Sequence, residues 1–254
     1  MRPPLPVIVA AALVSVAVTQ DSDARADGFE RSQRRFSRVD DAFDKHLASV
    51  QRDFEKAHAA WPPRGLYLRA FKREGELELW ASGAKDDKRV KVRVFPICAA
   101  SGELGPKVRQ GDGQVPEGFY VIDRFNPKSS YHLSLGIDYP NAVDKARAGS
   151  ASPGGDIFIH GNCVTIGCLP LEDGPVEALY VAVVRAKDRG QSQIPVHIAP
   201  CRFDDAKCQA IVAGAEPELK AFWDVLAEGY RAFEATHLPP RVEVARSGYR
   251  FRPR

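Results

Sequence analysis

Residues 65–96 read GLYLRAFKREGELELWASGAKDDKRVKVRVFP. Apolar positions here recur at every second residue. Leu66, Leu68 and Ala70 alternate with Tyr67 and Arg69. Leu77, Leu79 and Trp80 resume the pattern after a Glu74-Gly75 turn, and Val90, Val92 and Val94 alternate with Lys91, Arg93 and Phe95. A period of two sends successive side chains to opposite faces of a pleated strand, so the stretch predicts a hairpin followed by a third strand.

Further strands are expected at 119–125, 156–159, 195–199 and 242–251, whereas 101–113 and 139–155 read as loops. Helical spacing appears upstream, where Phe36, Val39, Phe43, Leu47, Val50 and Phe54 form one face that Trp61-Pro62-Pro63 must end. It appears again at 176–189 and at 216–234, where Leu219, Phe222, Trp223, Leu226, Tyr230 and Phe233 line up. The upstream helix is expected to pack on the main domain, with a self-associating coiled coil as the alternative. The fold class expected is therefore mostly β with flanking helices (α+β).

The chain has 254 residues, 44% of them hydrophobic, and a formal net charge of +3. That suffices for one packed domain with extensions, and it lacks the concentrated basic charge of a nucleic-acid binder. Arg2 precedes an apolar or small run, Val7–Val18, broken only by Ser15, and Ala24-Arg25-Ala26 offers a small-x-small cleavage site. This reads as a secretory signal peptide. The run is shorter than the roughly 20 residues needed to cross a bilayer, so an uncleaved anchor is the weaker alternative. The organisation expected is a signal peptide at 1–26, an N-terminal amphipathic helix at 27–62, a catalytic domain at 63–200 and a C-terminal helical extension at 201–254 packed on it. The mature protein is expected in the periplasm or cell envelope.

Five cysteines, an odd number, leave at least one thiol unpaired in an exported chain. Cys201 and Cys208 are the pair most easily bridged. The densest chemical cluster is Ile159-His160-Gly161-Asn162-Cys163-Val164-Thr165-Ile166-Gly167-Cys168-Leu169-Pro170. A thiol nucleophile needs a base to take its proton, and an imidazole titrates near neutrality. Glycines admit substrate, and loop amides can face a developing oxyanion. Structural thiols, a Cys163–Cys168 pair, or a zinc site completed by His132 remain open on the residues alone.

The cluster resembles the active-site signature of the YkuD-type L,D-transpeptidases, a His followed after a gap by Ser/Thr-His-Gly-Cys. Thr165-Ile166-Gly167-Cys168 fits it with Ile166 in place of the second His, and the short His160-to-Cys168 gap is shared with the YafK-like subfamily. Gly105-Pro106-Lys107, Gly111 to Tyr120, Asn126 to Ser134, Tyr139-Pro140-Asn141 and the Phe222-Trp223 helix are similar to further blocks of that subfamily, so the resemblance runs from about Gly65 to Phe251. It implies a YkuD-type β-sandwich or barrel-like domain with N- and C-terminal helices. It implies Cys168 as nucleophile and His160 as base. Gly167, Gly161 and Thr165 would lie at the oxyanion or substrate site, with His132 in the groove and no role assigned to Cys163.

The expected substrate is a peptidoglycan stem peptide, acylating Cys168 without metal or organic cofactor. The acceptor is a second stem, an envelope protein attached to the wall, or water, the last making the enzyme a hydrolase. A non-catalytic wall-binding module is the rival from another class. An imidazolium beside Cys168 would lower the thiol's pKa, so the pairing predicts a thiol that stays reactive at low pH.

Overall fold

The computed structural model describes residues 28–253; the leader expected at 1–26 lies outside them. An eight-stranded mixed sheet runs in the order β3-β2-β1-β8-β4-β5-β6-β7. Its strands are β1 (Tyr67–Phe71), β2 (Glu76–Ser82), β3 (Arg89–Pro96), β4 (Gly118–Asn126), β5 (Ser134–Ile137), β6 (Phe158–His160), β7 (Leu169–Pro170) and β8 (Pro195–Ala199). The predicted hairpin and third strand form the antiparallel β1-β2-β3 end. Parallel pairing of β1 with β8, and antiparallel pairing of β8 with β4, join that end to the half carrying β6 and β7.

Among the described residues, five helices are seven residues long or longer: α1 (Ser37–Lys56), α2 (Ala142–Ala148), α3 (Asp173–Asp188), α4 (Ala206–Ala213) and α5 (Pro217–Thr236). α1 buries Val39, Phe43, Val50 and Phe54 of the face its spacing predicted, with Ala42 beside them, while Leu47 and the N-cap Phe36 are half-buried. That face and the apolar side of α3 share one core with Leu68 and Ala70 of β1 and with Leu66 just before it. A second cluster, on the other side of the alternation, joins Phe71 and Phe119 to Phe222, Trp223, Leu226 and Tyr230 of α5. β1 is therefore buried at all five positions, because it is covered on both faces.

The structure departs from the sequence reading in several places. The stretch read as loop, 139–155, holds α2, started by a capping box in which the Asn141 side chain accepts from Val143 N and Asp144 N and the Asp144 side chain accepts from Asn141 N. The final strand expected at 242–251 is a separate two-stranded hairpin, β9 (Arg241–Ala245) with β10 (Gly248–Arg252). Among the described residues no helix is long and apolar enough to cross a membrane.

Candidate active site

β6 and β7 are short parallel neighbours, with Ile159 beside Leu169 and His160 beside Pro170. Between them the chain must reverse in the loop 161–167 and deliver Cys168 to the head of β7. Two glycines permit this. A Cβ on Gly161 would lie 2.6 Å from Asp173 Oδ1 and 2.8 Å from His132 Cβ. Gly167 has φ +135°, and its Cβ would lie 2.8 Å from the Gln114 carbonyl oxygen. A turn held by Thr165 completes the loop. Its Oγ1 accepts from Gly167 N at 3.1 Å and Cys168 N at 2.8 Å and donates to the Cys168 carbonyl at 2.9 Å. The amides of Gly167 and Cys168, in the loop where donors to an oxyanion are expected, are thus both bonded to the Thr165 hydroxyl.

Cysteine pairing singles out one thiol. Cys201 bridges Cys208, as their spacing suggested, and Cys98 bridges Cys163, leaving Cys168 free. Cys163 is therefore neither partner to Cys168 nor available as a zinc ligand. The Cys168 sulfur accepts from Phe158 N at 3.4 Å and donates to the Asp156 carbonyl at 3.7 Å. It lines a cavity of about 270 Å³ with Lys72, Ile97, Ala100, Leu104, Val115 and Leu169 among its walls. This volume is at the small end of ligand pockets.

His160 is buried, 3% exposed, with its ring 4.9 Å from that of Tyr131. Its Nδ1 sits 2.6 Å from the Gly161 carbonyl. A carbonyl only accepts, so Nδ1 carries the proton and Nε2 keeps its lone pair. The orienter of this imidazole is thus a backbone oxygen. Among the described residues no carboxylate bonds to it: Asp138 takes Val121 N, Asp144 caps α2, Asp156 pairs with Arg124, and Asp173 accepts from Asn162 N. No hydrogen bond among the described residues joins His160 to Cys168. Catalytic contacts of this kind commonly tighten only with substrate bound.

The pKa shifts of the two groups run against the expected ion pair. Burial pushes the Cys168 thiol above its ordinary value, the Asp156 charge adds to this, and the Phe158 amide and Lys107 only partly oppose them. Burial likewise lowers His160, against a smaller upward pull from the Gly161 carbonyl. Desolvation disfavours the charged form of each group. Both shifts favour the uncharged forms, neutral thiol and neutral imidazole, and so run opposite to the lowered thiol pKa that pairing alone suggests.

His132 is not brought to the Cys168 cavity. Its Nε2 lies 2.7 Å from Glu177 Oε1, and it lines a separate, open depression with Arg38, Asn162, Cys163 and Asp173. Glu177 also bonds His46 of α1 at 2.8 Å, and Arg38 donates to the carbonyls of Ser129 and His132. These bonds fix the 129–132 loop to α1 and α3, which suits a bracing role for His132. Tyr131 and Gln114, unmarked in the sequence, are the residues the fold adds around the loop. Neither carries a chemical signal of its own beyond lying in the similar blocks.

Compared with known proteins, the chain is 36% identical over 186 residues to YafK of Escherichia coli (strain K12), a protein assigned by name to the L,D-transpeptidases. The alignment covers 72% of each chain, and the counterpart from E. coli O157:H7 matches equally. The chain belongs to the YafK-type L,D-transpeptidase family. No family model matches it. Among solved structures, the helical cell shape determining protein Pgp2 of Campylobacter jejuni superposes with a TM-score of 0.44 at 16% identity, over 76% of this chain and 78% of that one. Its K307A mutant gives 0.44 at 20%, over 72% and 57%. Bd1075 of Bdellovibrio bacteriovorus gives 0.40 at 16%, over 70% and 61%. Membership of this family accords with the mixed sheet and helices described above.

Proposed function

We propose that this protein is an exported enzyme of the bacterial wall that acts on peptidoglycan stem peptides through a thioester on Cys168. The observation carrying this reading is that Cys168, alone among five cysteines, is unbridged, and that it opens into a cavity beside the strand bearing His160. The thiol attacks the carbonyl of the third, L-centred residue while His160 Nε2 takes the sulfur's proton. The tetrahedral intermediate collapses, the imidazolium protonates the departing amine, and the thioester remains. A neutral resting imidazole suits this role, since only the unprotonated ring can act as base.

An amine or water then resolves the thioester. A stem amine gives a cross-link, a lysine of an envelope protein gives a protein–wall linkage, and water gives hydrolysis. Incubation with defined tetrapeptide muropeptides, with and without an added amine acceptor, followed by mass spectrometry, distinguishes these outcomes. Wild type should release the fourth residue and form adducts only when the acceptor is present. Cys168→Ala should release nothing while keeping the wild-type unfolding transition. Binding of muropeptides without any turnover by wild type would instead mean a wall-binding module.

A further inference from the structure

The two disulfides differ in setting. Cys201 and Cys208 are both 0% exposed and lie within the second core cluster. The Cys98–Cys163 bridge lies at the surface, with Cys163 exposed and Cys98 half-buried. It also joins two parts of the candidate site. Cys163 belongs to the loop between His160 and Cys168. Cys98 follows β3 and donates its amide to the Pro170 carbonyl at 3.0 Å, one strand residue beyond Leu169. The residues around it, Ile97 and 99–104, form one wall of the Cys168 cavity. The bridge spans 65 residues and is the covalent tie between that wall and the loop delivering the nucleophile.

From this placement we infer that Cys98–Cys163 is a thiol-exchange site that sets the conformation of the Cys168 loop, so that the bridged form is the competent one. Its reaction partner is a dithiol, as in a disulfide oxidoreductase. A thiolate of the partner attacks the exposed Cys163 sulfur; a new S–S bond forms, and Cys98 leaves as thiolate and takes a proton. The partner's second thiol then cleaves the mixed disulfide and frees Cys163. Two electrons and two protons pass from the dithiol to the bridge, and an oxidised partner reverses the exchange. Thiol–disulfide exchange requires access to the attacked sulfur, which the Cys201–Cys208 bridge denies. Once the bridge is open, no covalent bond ties the 161–167 loop to the cavity wall.

The link to turnover rests on the catalytic reading of Cys168; the order in which the bridges open does not. Full-length mature protein is titrated with dithiothreitol under native conditions, desalted anaerobically, and examined in parallel by thiol mapping, iodoacetamide labelling of Cys168 and muropeptide turnover. Cys98–Cys163 should open while Cys201–Cys208 stays closed. Turnover should fall roughly tenfold or more as reacting groups lose their alignment, labelling of Cys168 should quicken, and oxidised glutathione should restore both. The double variant Cys98→Ser, Cys163→Ser should reproduce the reduced protein and ignore dithiothreitol. Simultaneous opening of both bridges, or selective opening that changes neither labelling nor turnover, would overturn the inference. If bridged wild type never turns over muropeptides, the proposed function fails. Selective opening with faster Cys168 labelling would then still sustain the exchange site.

Discussion

Gly167 immediately precedes Cys168 at φ +135°, and a Cβ placed on it would lie 2.8 Å from the Gln114 carbonyl oxygen. A side chain there meets both a backbone conformation that L-residues avoid and an oxygen that cannot retreat without moving the 111–118 loop. Gly167→Ala should therefore cost roughly 1–3 kcal/mol of stability and most of the turnover, measured by urea unfolding and muropeptide release. Wild-type values for both would mean that the loop adapts freely. The titrations of the neighbouring pair yield a second expectation. With Cys168 raised and His160 lowered by burial, iodoacetamide labelling of Cys168 should have its midpoint above the ordinary thiol value of about 8.5. Because burial lowers the His160 pKa, the acid limb of turnover should fall below about pH 6.5, the usual imidazole value. His160→Ala should abolish turnover while leaving the labelling midpoint nearly unchanged. A labelling midpoint well below that of a free thiol would show a resting thiolate and refute the neutral pair.

At the scale of elements, α5 shows what periodicity makes legible. Its apolar spacing placed Leu219, Phe222, Trp223, Leu226, Tyr230 and Phe233 on one side; the last five are buried and Leu219, in the first turn, is half-buried. Phe233 packs its ring 4.8 Å from Tyr67 and 5.0 Å from Trp80, beneath the Arg69 guanidinium. Phe233→Ala should cost about 3–5 kcal/mol, a large share of a typical domain's stability, without lowering turnover per folded molecule. Chemical denaturation with active-site titration checks this, and a loss below 1 kcal/mol would place the helix outside the cooperative unit (about 1 kcal/mol is the average for any substitution). The same logic explains what stayed illegible. β5 has four residues including Gly136 and β7 has two, too few for alternation to register. α2 and α4 are only seven and eight residues long, and α4 buries Cys208 alone, so neither shows an apolar stripe. Of the candidate site, Cys168 and the neighbouring His160 stand out in the sequence because side-chain type carries the chemistry, and the structure leaves that cysteine free. The Gly161 and Gln114 carbonyls do not stand out, because backbone groups have no signature in sequence. The Cys98–Cys163 bridge was hidden for another reason: it joins residues 65 apart whose proximity depends on sheet order.

Across the whole molecule, the sheet and α5 are joined by a buried ionic network with a defined pH signature. Glu78 is fully buried and accepts from Arg69 Nε and Nη2 at 3.0 and 2.8 Å and from Trp80 Nε1 at 2.8 Å; Arg202 and Lys91 lie at 2.9 and 3.1 Å. Arg69 also reaches Glu234 of α5 at 2.6 Å. Burial alone would raise the Glu78 carboxyl, but Arg69, the Trp80 donor and Arg202 outweigh it and hold the group at about 2. The unfolded chain releases that proton near 4.3. Between these values the unfolded state binds the proton and the folded state does not, so stability rises with pH through this window. The contribution is complete above about 4.3 and is lost as pH falls through about 2, and its size is on the order of 3 kcal/mol. Asp144 runs the other way. Burial raises its carboxyl to about 6, despite the Asn141 amide and Tyr120 hydroxyl that favour its charge. Its contribution is present below about 3.9, the ordinary aspartate value, and fades as pH rises through about 6. The two groups therefore act in windows that scarcely overlap, and substitutions separate them. Glu78→Gln should be destabilised most above about pH 4.3 and approach wild type as acid protonates Glu78 in the latter. Asp144→Asn should remove the decline between about pH 4 and 6. Urea-unfolding free energies of the three proteins from neutral pH down to the acid limit provide the measurement. A deficit of Glu78→Gln that stays constant across that range would mean that packing, not charge, accounts for the residue's burial beneath α5.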